Sequence, residues 1–136
     1  MTAELALQKA LYDRLLSETG VTSLVPATNI RDRSQRPVIN PSIIIGEMTA
    51  RDDGDAISRN RVHVYADLHV WKKEEGTTGV KAVGGAIRAA VKRGRLLLDA
   101  GFHCVDAFVS GVRVLRDPDG ETAHAVVTVE AIVQEL

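Results

Sequence analysis

The chain has 136 residues, enough to bury about two-thirds of its unfolded surface in one core without staples. Its 17 Lys and Arg against 18 Asp and Glu leave a formal charge of −1, which argues against a protein whose main work is gripping nucleic acid, though not against a surface that lets DNA pass. A lone cysteine, Cys104, excludes an internal disulfide and points to a reducing site of synthesis, and aromatics at 4% leave little to line a pocket for a flat organic cofactor.

In chain order, the first 16 or so residues carry charges throughout and lack the apolar stretch of a signal peptide. Nowhere does an apolar run approach the roughly 20 residues of a membrane span. Residues 3–18 predict a helix. Leu5, Leu11, Leu15 and Leu16, with Ala6 and Ala10, form its apolar stripe, Thr2 its cap and Gly20 its stop. The stretch VPATNIRDRSQRPVINP, with three prolines and four charged residues, predicts a long polar loop. Residues 42–49 read as a strand and residues 50–60 as a second polar loop.

Residues 61–71 form the clearest strand. Val62, Val64, Ala66, Leu68 and Val70 point one way, and Arg61, His63, Tyr65, Asp67, His69 and Trp71 the other. Alternation this clean places one face on a core and leaves the other for something else. Residues 77–92 predict a second helix, capped by Thr77 or Thr78, with Val80, Val83, Ile87, Ala90 and Val91 buried. Its Gly84 and Gly85 each cost about 1 kcal/mol relative to Ala, which close packing on a sheet would offset. Residues 96–98 extend the helix or form a buried connection. Residues 103–116 and 122–134 predict a hairpin joined by DPDGE, in which proline fixes φ, aspartates bond nearby backbone and Gly120 supplies positive φ. Gly111 marks a bulge. Val126 and Ile132 interrupt the polar side of the last strand, so that strand is either central in the sheet or covered by another subunit. The expected fold is one α+β domain spanning residues 1–136, with a mostly antiparallel four-stranded sheet, two helices on one face and a C-terminal β-hairpin.

Catalytic chemistry finds little purchase. His63 and His69 lie about 20 Å apart along their strand and cannot share an ion. His124, across the hairpin, could approach His103 or Cys104, but ordinary strand histidines and a buried thiol are the simpler reading. Asp52, Asp53 and Asp55 around Gly54, and Asp117 and Asp119 before Gly120, lack the spacing and terminal Glu of a calcium loop. The glycines at 76, 79, 84 and 85 match no phosphate-binding spacing, and Ser110-Gly111 is no nucleophile elbow. Lys92, Arg93 and Arg95 suit a helix C-terminus, with phosphate contact as the alternative. These absences predict a non-enzyme with no cofactor and no metal.

Partner contacts have better candidates. Arg31, Arg33 and Arg36 sit on the first long loop, though solvation alone also explains them. Tyr65, His69 and Trp71 share the sheet face that no helix covers, and Tyr, Trp and Arg are enriched at interface hot spots. With Val126 and Ile132 they complete the expected protein interface.

At this point the pattern of the opening LQKALYDRLLSE helix, of HVYADLHVWKKEEGTTGVKAVGGAIRAAV and above all of RVLRDPDGETAHAVVTVEAIVQE resembles the tail-terminator, or tail-completion, family of long-tailed bacteriophages and gene transfer agents. That resemblance spans nearly the whole chain. It implies a structural virion protein made in the host cytoplasm, located at the neck or top of the tail. It also implies a ring, usually of six copies, that stops tail-tube polymerisation and joins a head-completion or stopper protein. Double-stranded DNA passes through its channel without specific binding, with no cofactor and no membrane. Another neck or tail component, such as a stopper or tube-related subunit, is the rival, and a small enzyme the more distant one.

Overall fold

The computed structural model describes residues 1–33, 39–54 and 57–136. Their elements are helix α1 (Ala3–Ser17), a short helix α2 (Thr19–Thr22), strand β1 (Ile30–Arg31), strands β2 (Ser42–Asp52) and β3 (Arg61–Lys73), helix α3 (Thr78–Lys92), and strands β4 (Phe102–Arg116) and β5 (Thr122–Glu135). Among the described residues these strands form one open sheet in the order β1-β2-β3-β5-β4, antiparallel except for the short parallel pair β1–β2. An α+β fold is therefore present, with five strands rather than four and three helices rather than two. The two extra elements are two and four residues long, too short to show any hydrophobic period.

The alternation of β3 works as its sequence requires. Val64, Ala66, Leu68 and Val70 are fully buried, joined on the same face by Ile43 and Ile45 of β2 and by Ala125, Val127, Val129, Ala131 and Val133 of β5. Helices α1 and α3 cover this face with Leu7, Leu11 and Leu15 and with Val80, Val83, Ile87 and Val91. Burying each such side chain stabilises the fold by about 1.5–3 kcal/mol. The stripe on α1 differs from the expected one. Leu5 is 47% exposed while Leu7 is fully buried, because the two sit about 200° apart around the helix and Leu7 shares its face with Ala3, Ala10 and Leu11.

Helix ends depart from expectation in instructive ways. Thr2 Oγ1 accepts a hydrogen bond from the Leu5 backbone, as a cap should. Helix α1 stops at Ser17, before Gly20, which lies inside α2. Thr77 makes no side-chain cap. Instead the Glu74 carboxylate accepts from the backbone of Gly79 and Val80, placing an anion on the positive end of α3. At the other end of α3, Arg14 reaches over from α1 and donates to the carbonyls of Ala90, Gly94 and Arg95 at 2.9–3.1 Å. Leu96 continues as a buried connection.

Gly84 meets the sheet closely: a Cβ there would stand 3.3 Å from Val112. Gly85 faces open space, so only one of the two glycines is explained by packing. Strand β2 runs on to Asp52, through residues that composition marks as loop, because an antiparallel partner (Arg51 opposite His63, Asp52 opposite Val62) holds them. The β4–β5 turn follows its sequence: Gly120 has φ +75°, and Asp119 accepts from the backbone of Glu121 and Thr122 and from the Thr122 hydroxyl. The expected bulge lies between Val109 and Gly111, and a second one between Cys104 and Asp106.

Candidate assembly surface

The sheet face away from the helices is built from β3 and β5 in strict register. Opposite each other stand His63 and Ile132, Tyr65 and Glu130, Asp67 and Thr128, His69 and Val126, and Trp71 and His124. Among the described residues no second layer covers them, yet several are well shielded. Val126 is 7% and His124 9% exposed, because the large rings of this face lie along it instead of standing off it. His63 and Tyr65 stack in parallel with centroids 4.5 Å apart, and Trp71 and His124 stack at 3.7 Å. Tyr65, His69, Trp71 and Ile132 remain half-buried.

Polar groups on this face are paired within it. His63 Nε2 lies 3.0 Å from a Glu130 carboxylate oxygen, and Thr128 donates to Asp67 at 2.7 Å. His69 sits between two partners, Glu47 Oε2 on one ring nitrogen and His124 Nε2 on the other, each at 2.9 Å. Its hydrogen bond to Glu47 holds that carboxyl below the usual range, and burial lowers the His124 imidazole. His124 thus finds its partner on β3, not in His103 or Cys104. Strand β5 lies between β3 and β4, and the β4 register sets His124 against Leu115, with His103 far along against Gln134.

A second surface runs along β4, whose outer edge has no strand partner in the described chain. Val105 and Leu115 are each 37% exposed, Phe108 40% and Val112 43%, on both faces of this one strand. Sequence reasoning passes over them and over Glu47. The available signal is the apolar run on both sides of Gly111, which the two bulges place along an open edge.

Arg31 and Arg33 line a groove of about 880 Å³ between α1 and the segment around β1, together with Met1, Leu5, Tyr12 and Ile30. Arg31 also donates to the Thr28 carbonyl at 3.0 Å, and Arg33 is exposed. Arg36 and Asp55 lie outside the described residues. Arg93 pairs with Glu18 at 2.9 Å, which ties α3 to the start of α2. Cys104 is buried, and that burial raises its thiol pKa, as suits a small core side chain. Asp119 is held below the usual carboxylate range by the backbone of Glu121 and Thr122, which makes it a turn residue. Among the described residues no three His, Cys, Asp or Glu side chains are grouped to hold a metal, and no helix is long and apolar enough to cross a membrane.

Comparison with known proteins agrees with this architecture. No curated protein sequence matches the chain. Among solved structures, a chain from the virion of a native gene transfer agent particle superposes with a TM-score of 0.82 at 20% identity, covering 98% of each chain. The gp17 protein of bacteriophage SPP1 superposes with a TM-score of 0.61 at 21% identity, covering 95% of this chain and 89% of that one. At such identities the likeness is one of fold. The family model described as tail completion protein gp17 matches residues 9–134. With that match running over nearly its whole length, the chain belongs to the tail completion protein gp17 family, whose members are structural components of tailed virions.

Proposed function

We propose that the protein is a ring-forming tail terminator: six copies close the head-proximal end of the tail tube, stop its polymerisation and present the opposite rim to a head-completion or stopper protein. On this reading the chain does no catalysis and needs no cofactor, and double-stranded DNA passes through the ring without specific binding.

The observation that carries this reading is the asymmetry of the open sheet. One edge is the long β4, with four exposed apolar side chains; the other is β2, capped only over Ile43 and Ile44 by β1. Two unlike edges suit a heterologous contact, in which one patch meets a different patch and rotation closes a ring. The uncovered face carrying Tyr65, His69, Trp71 and Ile132, with Val126 beneath them, is the second contact region. Arg31, Arg33 and Arg36 belong to the loops above or below the ring, for contact with neighbouring neck or tail proteins. The small net charge fits a lumen through which DNA slides without being held.

Mass measurement in solution, alone and with purified tail tubes, tests this. Six copies of the 14.7 kDa chain on the tube end are expected. Phe108→Glu on the β4 edge is expected to leave the fold intact and abolish the assembly. Particles lacking the protein are expected to give filled heads without tails and tails of irregular length. Normal particles from a clean deletion would reject the reading.

A further inference from the structure

The Glu47–His69–His124–Trp71 group is built by a specific backbone device. The β2–β3 register skips between Ile45 and Met48, so Gly46 and Glu47 form a bulge opposite Asp67, two residues from His69 on the same face of β3. A Cβ on Gly46 would stand 2.8 Å from His69 Cδ2, so the imidazole rests on bare backbone. The bulge turns the Glu47 carboxylate onto His69 Nε2 at 2.9 Å. His69 Nδ1 then faces His124 Nε2 at 2.9 Å, and His124 lies flat on Trp71, at a 9° interplanar angle.

Two nitrogens 2.9 Å apart form a hydrogen bond only when one of them carries the hydrogen. With both imidazoles neutral, His69 Nε2–H donates to Glu47 and His124 Nε2–H donates to His69 Nδ1. One added proton is accommodated, either on the outward His124 Nδ1 or on His69 Nδ1 with His124 in its other tautomer. A second added proton puts N–H against N–H and cation against cation, and the pair must part. The other charges around the pair are Arg113 and Asp117 from β4 and its turn, Asp67 (held by Thr128) and Lys73 (held by Glu121) on β3. None of them stands between the two facing nitrogens.

We infer that this group is a two-proton latch on the uncovered face of the sheet, keeping His124 on Trp71 while the pair holds at most one extra proton and releasing it when the pair holds two. Release leaves two positive charges on the face and frees the indole. The latch belongs to the single chain. Its consequence for assembly rests on the reading of this face as a subunit contact, and there it sets an acid limit to the ring.

Ring-proton NMR of the full chain, titrated from pH 8 to 4, tests it, with His69→Gln and His124→Gln used for assignment. The expected result is two coupled steps separated by more than about one pH unit, collapsing to a single step for the remaining imidazole in either variant. Trp71 is the sole tryptophan, so its emission is expected to change with the lower step. Glu47→Gln, at a side chain 74% exposed and so harmless to folding, is expected to move the upper step down by about half a unit or more. Two independent single steps, an indole signal flat across both, or an upper step unmoved by Glu47→Gln would overturn the latch. Assembly mass measured over the same pH range separates the two ideas: steps without assembly at any pH leave the latch and remove the ring, and assembly without steps does the reverse.

Discussion

The two faces of β3 are made from neighbouring residues yet hold together by different physics. Toward the helices, Val64, Ala66, Leu68 and Val70 are each fully buried in aliphatic packing, where stability follows from area removed from water. Away from them, His63, Tyr65, His69 and Trp71 lie flat along the sheet, held by ring stacking and charge-assisted hydrogen bonds. The first face is indifferent to pH and intolerant of lost volume. The second is exposed enough to meet a partner and carries its own titratable groups. One strand therefore separates the task of folding from the task of contact.

The largest effect that would test this contrast is on the inner face. Leu68→Ala is expected to cost about 2–5 kcal/mol, read by chemical denaturation, because nothing in that layer can collapse into the cavity without disturbing both helices. A loss under about 1 kcal/mol would mean the core is looser than its burial indicates.

Next comes the seat of the outer cluster. Gly46→Ala is expected to cost about 1–3 kcal/mol, since its methyl must displace the His69 ring and the Asp67 carbonyl lies 3.1 Å away. The same substitution should disturb the His69 and His124 ring signals, which Leu68→Ala should leave nearer their original positions.

Of the two faces of β3, only the outer one should respond to pH. Burial lowers the His124 pKa, so the unfolded chain binds a proton that the folded chain does not. That stability is fully present above the unfolded value of about 6.5 and is lost as pH falls from there through the folded value. Glu47, whose pKa is lowered by His69, adds stability that is present above the ordinary Glu range and lost at still lower pH. Denaturation midpoints are expected to decline below about pH 6.5, and His124→Gln to flatten the first part of that decline. An unchanged decline in the variant would assign it to other groups.

The smallest effect separates the two glycines of α3. Gly85→Ala meets nothing and should gain about 0.5–1 kcal/mol from helix propensity. Gly84→Ala should show little net gain, because its methyl crowds Val112.

Much of this architecture is legible in the amino-acid sequence. Alternation in residues 61–71 marks both faces, the DPDGE segment marks the hairpin, and the apolar stripe in residues 77–92 marks α3 within a residue of its start. What alternation does not contain is strand order. His69 and His124 meet because β5 returns beside β3 rather than ending as an edge, a consequence of how helix α3 crosses the sheet. The outer edge of β4 is hidden for the same reason, since an apolar residue on a strand looks alike whether a neighbour lies beside it or not. Arg51 and Asp52 read as loop because their polarity reflects an exposed strand, and only pairing with β3 distinguishes the two.

The clamp that Arg14 places on the end of α3 bears on how the chain is made. Its carbonyl acceptors begin 76 residues downstream. At ribosomal speeds of about 5–20 residues per second, the guanidinium waits roughly 4–15 s for them. The first helix is therefore synthesised early and fastened late. A nascent chain halted before residue 90 would hold that helix without the bonds that tie it to the end of α3.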